Sequence, residues 1–170
     1  MSEIEIWDGY YEDGSLAGIE LIRGEKIPTG IHHGVAEVFV MHEDGEILLM
    51  KRDYSKPNYP GQWESGASGS ILKGESFLEG ARRELKEETG IDGFDFQPIY
   101  RFVSADTIYQ GYLYIAKIDK SQITLQRGET IDYQWVKQEA FKSIYNSEGF
   151  VDCLKDRLAD FVKISLGLNE

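Results

Sequence analysis

The stretch from Gly69 to Ile91, GSILKGESFLEGARRELKEETGI, constrains this chain more than any other. It places Glu84, Glu87 and Glu88 within about one turn of what reads as a helix. Like charges at that spacing destabilise a helix unless something offsets them, and a bound divalent cation is the natural counter-charge. Ser76 followed by Glu79 has the capping-box spacing, and Gly90 stands where a left-handed residue ends a helix. These signals predict a helix over 77–88. At ~100° per residue, Leu78, Ala81 and Leu85 form one stripe that should face the core, with the three glutamates grouped beside it. Gly80 lies one turn before Glu84. A glycine inside a helix costs ~1 kcal/mol relative to alanine, so some group is expected to approach the backbone there. Arg83, four residues before Glu87, is placed to hold that carboxylate. Carboxylate oxygens select hard cations, magnesium by default with manganese close behind. Magnesium keeps several waters and is usually completed by substrate phosphates. An acidic site of this kind therefore points to phosphate ester or anhydride chemistry. A solvated acidic helix face is the bland alternative, and the glycines, Arg83 and the acids coinciding at fixed spacing weigh against it.

Around this stretch the chain reads as strands, one helix, more strands, then helices. Glu3 to Asp8, a turn at Asp13-Gly14 and Leu16 to Arg23 predict a lead-in hairpin within 1–30. Gly34 to His42 and Ile47 to Arg52 flank Glu43-Asp44-Gly45 and predict a second hairpin. Lys51 and Arg52 end its return strand. Both are candidates to contact phosphate, and Arg52 is favoured because it leads into the 54–61 loop. Trp63 offers a stacking surface or a core side chain, and an aromatic in a strand is more often core. Residues 65–70 read as a short glycine-rich strand. Further strands are predicted over 94–104, 107–118, 123–126 and 133–136, with Arg127 to Thr130 as a loop. Helices are expected over 137–145 and, capped by Ser147, over 147–166. This order does not fit alternating βαβ units. It predicts an α+β fold with a mixed sheet covered by helices, arranged as one domain over 1–170.

The composition is that of a globular protein, 41% hydrophobic and 28% charged. Its net charge of −12 argues against nucleic-acid or anionic-membrane partners. A polyanionic substrate is still admissible, because a bound ion sets the local field. No apolar run is long enough to span a membrane, and MSEIEIWDGYYEDG has no signal-peptide pattern. The single cysteine, Cys153, cannot form an internal disulfide, so a cytoplasmic location is expected. Cys153 itself is expected to be a small buried hydrophobe rather than a catalytic thiol.

The pattern Gly69-x5-Glu75-x7-Arg83-Glu84-Leu85-x-Glu87-Glu88-x-Gly90-Ile91 resembles a complete Nudix box, matching at every defined position. The resemblance implies a Nudix α/β/α sandwich with the box as loop–helix–loop. It implies hydrolysis of a diphosphate linkage in a nucleoside-diphosphate-linked or related small molecule. Glu84, Glu87 and Glu88 would hold one or more magnesium ions, with Glu84 as base or purely as ligand. Arg83 would organise the carboxylates, Glu75 would support them, and the backbone at Ser68 and Gly69 would complete the substrate and metal site. Relatives often take another acidic ligand or base from a loop near 127–130, which makes Glu129 a candidate. They are also often homodimers.

WDGYYEDG, the His32-His33 pair and KRDYSKPNYPGQWE resemble isopentenyl-diphosphate isomerase, a branch of the same superfamily. That isomerase needs a cysteine just before the box glycine and a histidine just after it. Here Ser68 and Ser70 occupy those positions, and serine is too weak an acid to protonate an alkene. His33 matches an isomerase-side histidine, as a structural residue or a substrate contact; His32 and His42 are expected in surface or turn roles. The reading is a hydrolase on an isomerase-like branch. A non-catalytic nucleotide-sensing domain is the alternative from another class, although such domains usually carry a broken box.

Overall fold

Strand β3 (His33–His42) is the line on which the other elements are assembled in the computed structural model, which describes residues 3–167. Its side chains alternate between two cores, as a strand buried on both faces requires. Ala36, Val38 and Val40 enter one hydrophobic cluster and Phe39 enters the other. On one edge β3 pairs parallel with β8 (Thr107–Ala116), from His33↔Thr107 to His42↔Ala116. β8 pairs antiparallel with β7 (Phe96–Val103). The sheet is therefore mixed, and its order is β5-β4-β3-β8-β7, with β6 joined to β3 and β9 to β4.

The Asp44-Gly45 turn forms as expected between β3 and β4 (Ile47–Arg52), but the strands then part. Met41↔Ile47 is their one paired position. Below it, β4 pairs with β5 (Trp63–Ser65) and β9 (Thr130–Val136), while β3 pairs with β6 (Ala67–Ser70). The expected single strand over 65–70 is thus a bent ribbon, β5 then β6. The bend is Gly66, at φ 63°, where any Cβ would collide with the Val38 carbonyl oxygen.

Helix α1 (Phe77–Thr89) has both predicted ends. The Ser76 hydroxyl accepts from the Glu79 amide, the Glu79 carboxylate accepts from the Ser76 amide, and Gly90 closes the helix at φ 79°. Its core face is Ala81 and Leu85, both fully buried. Leu78, expected on that stripe, is 46% exposed, and Phe77 packs on the core instead. The group that crowds Gly80 is the side chain of Ile71, which a Cβ there would strike. Helices α2 (Gln138–Tyr145) and α3 (Asp152–Ser165) cover the opposite face of the sheet through Phe141, Leu154, Leu158 and Phe161. The arrangement is the expected α/β/α sandwich.

Three other expectations are corrected. Residues 123–126 form no strand, because no strand lies beside them; the Thr124 amide donates instead to the Thr89 carbonyl. Ser147 does not cap the last helix. Its hydroxyl donates to the Ile144 carbonyl and accepts from the Gly149 amide, and the helix begins at Asp152 rather than 147. Cys153 is exposed rather than buried.

The lead-in forms its own two-stranded sheet, β1 (Ile6–Tyr10) with β2 (Leu16–Ile22). It is fastened to the loop that leads into α1. The Lys73 amide donates to the Ile6 carbonyl at 2.9 Å, and the Gly74 amide donates to the Asp8 carboxylate at 2.8 Å. Trp7 stacks on His33 with ring centroids 4.3 Å apart.

Candidate active site

The acidic turn of α1 faces a cavity of about 540 Å³, within the range of small-molecule sites. Glu84, Glu87, Glu88, Arg83 and Gly69 line it, as do Arg52 and Glu129. Folding has thus brought to one place the α1 glutamates, the end of β4, the backbone of β6 and the loop before β9. Glu75 stands behind them, accepting from the Leu72 amide at 2.9 Å and from Arg83 at 2.6 and 3.0 Å. Arg83 lies among these acids, and Glu75, Glu84 and the Ser70 carbonyl hold it more closely than Glu87 does. Its Nη1 lies 2.6 Å from Glu84 and 3.3 Å from Glu87. Gly69 is glycine for a local reason: a Cβ there would drive into the Glu84 carboxylate.

Glu88 is buried, and its carboxylate accepts from the Ser68 amide at 3.4 Å, a long bond. Burial holds its pKa well above the usual carboxylate range, and the nearby charges of Glu64, Glu84 and Glu129 push the same way. Glu84 is raised to about 7 by burial, against the opposing pull of Arg83. Glu64 was not singled out from the sequence. It sits buried on β5, raised by burial, and is paired with Arg52 at 3.1 Å. An acid in a short strand between Trp63 and Ser65 was the signal available for it. Lys56 was also missed; it lines the cavity and pairs with Glu129.

Among the described residues, no three acidic, histidine or cysteine side chains already converge as a finished metal cage. Arg83 Nη1 instead bridges Glu84 and Glu87, at 2.6 and 3.3 Å. The donor chemistry nonetheless fits a hard divalent cation. Glu64, Glu84 and Glu88 are oxygen donors at one wall, and the charges of Glu64 and Glu84 add to the upward shift that burial gives Glu88. In this fit Glu84 and Glu88, with Glu87 or Glu64, would hold the ion.

Other candidates fall outside the cavity lining. Trp63 is half-buried against the α3-side core, and Lys51 lies 5.6–5.8 Å over the Tyr54 and Trp63 rings. His33 is held against Trp7, with burial lowering its pKa. His32 is buried. His42 has a turn role, with Nε2 2.8 Å from the Ile118 carbonyl and Nδ1 receiving the Asp44 amide.

The raised acids make the metal-free protein pH-sensitive. An acid whose folded pKa exceeds its unfolded value binds more protons folded than unfolded, so stability falls as pH rises through that window. For Glu84 the window runs from 4.5 to about 7, and the loss across it approaches ~3 kcal/mol. Thermal midpoints measured without divalent cations should therefore drop from pH 5 to pH 8. Magnesium should restore the midpoint at pH 8 more than at pH 6, because protons and cation compete for the same oxygens. A flat profile would contradict this electrostatic account.

Comparison with known proteins agrees with the geometry. Residues 31–153 match the model of the NUDIX domain family. A Nudix hydrolase of Listeria monocytogenes, lmo0368, is 35% identical over 153 residues, spanning 87% of this chain and 89% of that protein. An isopentenyl-diphosphate Delta-isomerase of Klebsiella pneumoniae is 26% identical, over 78% of this chain and 75% of the isomerase. The crystal structure of DR0079 from Deinococcus radiodurans superposes with a TM-score of 0.72 at 18% identity, covering 89% of this chain and 96% of that one, which speaks to the fold. With a complete box on a capped helix, the matching sandwich and these relatives, the chain belongs to the Nudix hydrolase family.

Proposed function

We propose that this protein is a magnesium-dependent hydrolase of a diphosphate linkage in a small molecule, working from the Glu84, Glu87 and Glu88 turn in the cytoplasm. The observation that carries the reading is the set of acids at one cavity wall, Glu64 and Glu88 buried and Glu84 half-buried, with cationic side chains around them. A bound divalent ion would neutralise phosphate charge and acidify a water. The chain's own residues do the rest. Arg52 and Lys56, now paired with Glu64 and Glu129, turn their donors to the phosphate oxygens. Glu84, at the cavity wall, takes the proton of the attacking water or serves purely as a ligand. Arg83 and Glu75 keep Glu84 in place. Ser68 and Ser70, where the isomerase reaction needs a strong acid, favour hydrolysis over isomerisation.

The test is a panel of diphosphates incubated with magnesium or manganese, with products identified. Release of a monophosphate product from at least one of them supports the proposal. Interconversion of isoprenoid diphosphates with no phosphate bond broken would replace it with the isomerase. Ligand-induced stabilisation with no turnover across the panel would replace it with a sensor.

A further inference from the structure

One wall of the cavity lies before residue 31, where the match to the family model begins. It is the lead-in: Glu3, Ile4, Glu5, Ile6 and Arg23 line the same space as the box glutamates, whereas the family match begins at residue 31. This wall is built to hold one ion pair in place. The buried Trp7 indole donates to Glu5 Oε1 at 2.7 Å, and Arg23 Nη1 donates to Glu5 Oε2 at 2.9 Å. The Arg23 amide also donates to the Glu5 carbonyl at 3.0 Å. The Lys73 and Gly74 amides, in the box's own loop, fix the neighbouring backbone. The pair is thus held at the cavity rim from both sides. Arg23 keeps 63% of its side chain exposed, so its remaining donors are free to reach a ligand.

A carboxylate held by Trp7 beside a largely exposed guanidinium presents acceptors and donors in alternation. That matches vicinal hydroxyls, which both give and take hydrogen bonds. The rest of the lining points the same way. Ile4, Ile6 and Leu72 are the apolar side chains among its described residues, and the remainder are charged, amide or hydroxyl groups or Gly69. Such a wall leaves an isoprenyl chain in contact with charges and offers a nucleobase no ring to stack on.

We propose that Glu5 and Arg23 of the lead-in hairpin are specificity residues that bind a hydroxyl-rich, sugar- or polyol-like group attached to the diphosphate. This rests on the hydrolase reading above and names the substrate class of the same cavity. Glu5 and Arg23 bind the group; Trp7 is a positioning residue that acts through Glu5.

The experiment compares phosphoribosyl diphosphate, which carries a vicinal ribose diol and no base, with isopentenyl diphosphate and inorganic pyrophosphate. Wild type should prefer phosphoribosyl diphosphate in kcat/KM. Arg23→Ala and Glu5→Gln should lower that preference over pyrophosphate by about tenfold or more, mainly through KM, as expected for a lost charge-assisted hydrogen bond. Leu16→Ser, on the exposed end of the hairpin and outside the cavity, controls for a loosened hairpin and should keep the wild-type preference. Thermal stabilisation by each compound is measured in parallel. If nothing is hydrolysed but phosphoribosyl diphosphate alone stabilises the protein, in an Arg23-dependent way, the hydrolase reading fails and this one stands. Equal losses on all three compounds in the Arg23 and Glu5 variants, or a wild-type preference for isopentenyl diphosphate, overturns it.

Discussion

Glu88→Gln is expected to abolish hydrolysis while making the metal-free protein harder to unfold. The two effects have one cause. Glu88 is buried beside Glu64 and Glu84, and its carboxylate has the long Ser68 amide contact to offset its charge. Glutamine keeps the size and removes the charge. Relieving an acid of that kind should stabilise the fold at neutral pH and raise its melting midpoint. The same change removes an oxygen donor for the cation on which the reaction depends, and turnover should fall by about 10²-fold or more. Parallel melting curves and rate measurements decide the matter. A variant that loses activity and also loses stability would mean Glu88 is structurally satisfied as it stands, and the cation site would have to be sought elsewhere.

Arg157→Ala should destabilise the protein by ~3–5 kcal/mol, because it strands a buried charge. Arg157 on α3 grips Glu37 on β3 bidentately, Nε and Nη2 donating to its two carboxylate oxygens at 2.6 and 2.8 Å. Tyr100 donates to the same carboxylate at 3.0 Å, and the guanidinium lies 3.9 Å over the Tyr109 ring. The two side chains are only 10% and 9% exposed, so solvent does little to screen the pair. Alanine leaves Glu37 with no cation in the interior. The double variant Glu37→Gln/Arg157→Met should recover much of the loss, since it removes both charges together. Urea titration of the three proteins measures this. A loss below ~1 kcal/mol for the single variant would place the pair with exposed ion pairs, which contribute little.

Local signals were read well where they are self-contained. Ser76, Glu79 and Gly90 set the limits of α1 because capping is satisfied within a few residues. The box residues converge because one helical turn carries most of them. The readings that failed depend on distant partners. Residues 123–126 alternate like a strand, but pairing needs a neighbour and the chain supplies Thr89 instead. Ser147 looks like a cap, yet its hydroxyl is taken by Ile144. Leu78 was assigned to the core by periodicity, but the interior ends at Phe77 and Ala81. Glu64, Lys56 and the Glu5–Arg23 pair reach the cavity only through tertiary placement, so spacing along the chain could not reveal them.

The bend at Gly66 also limits how this chain can change length. Strand residues alternate sides with period two. β5 takes its register from β4 and β6 takes its register from β3, on either side of a glycine that tolerates no side chain. Adding or deleting one residue between Trp63 and Ser70 would turn either Glu64 or Ser68 away from the cavity. Insertions and deletions that preserve chemistry should therefore accumulate at the Asp44-Gly45 turn, away from the cavity, and this ribbon should keep its length wherever the reaction is kept.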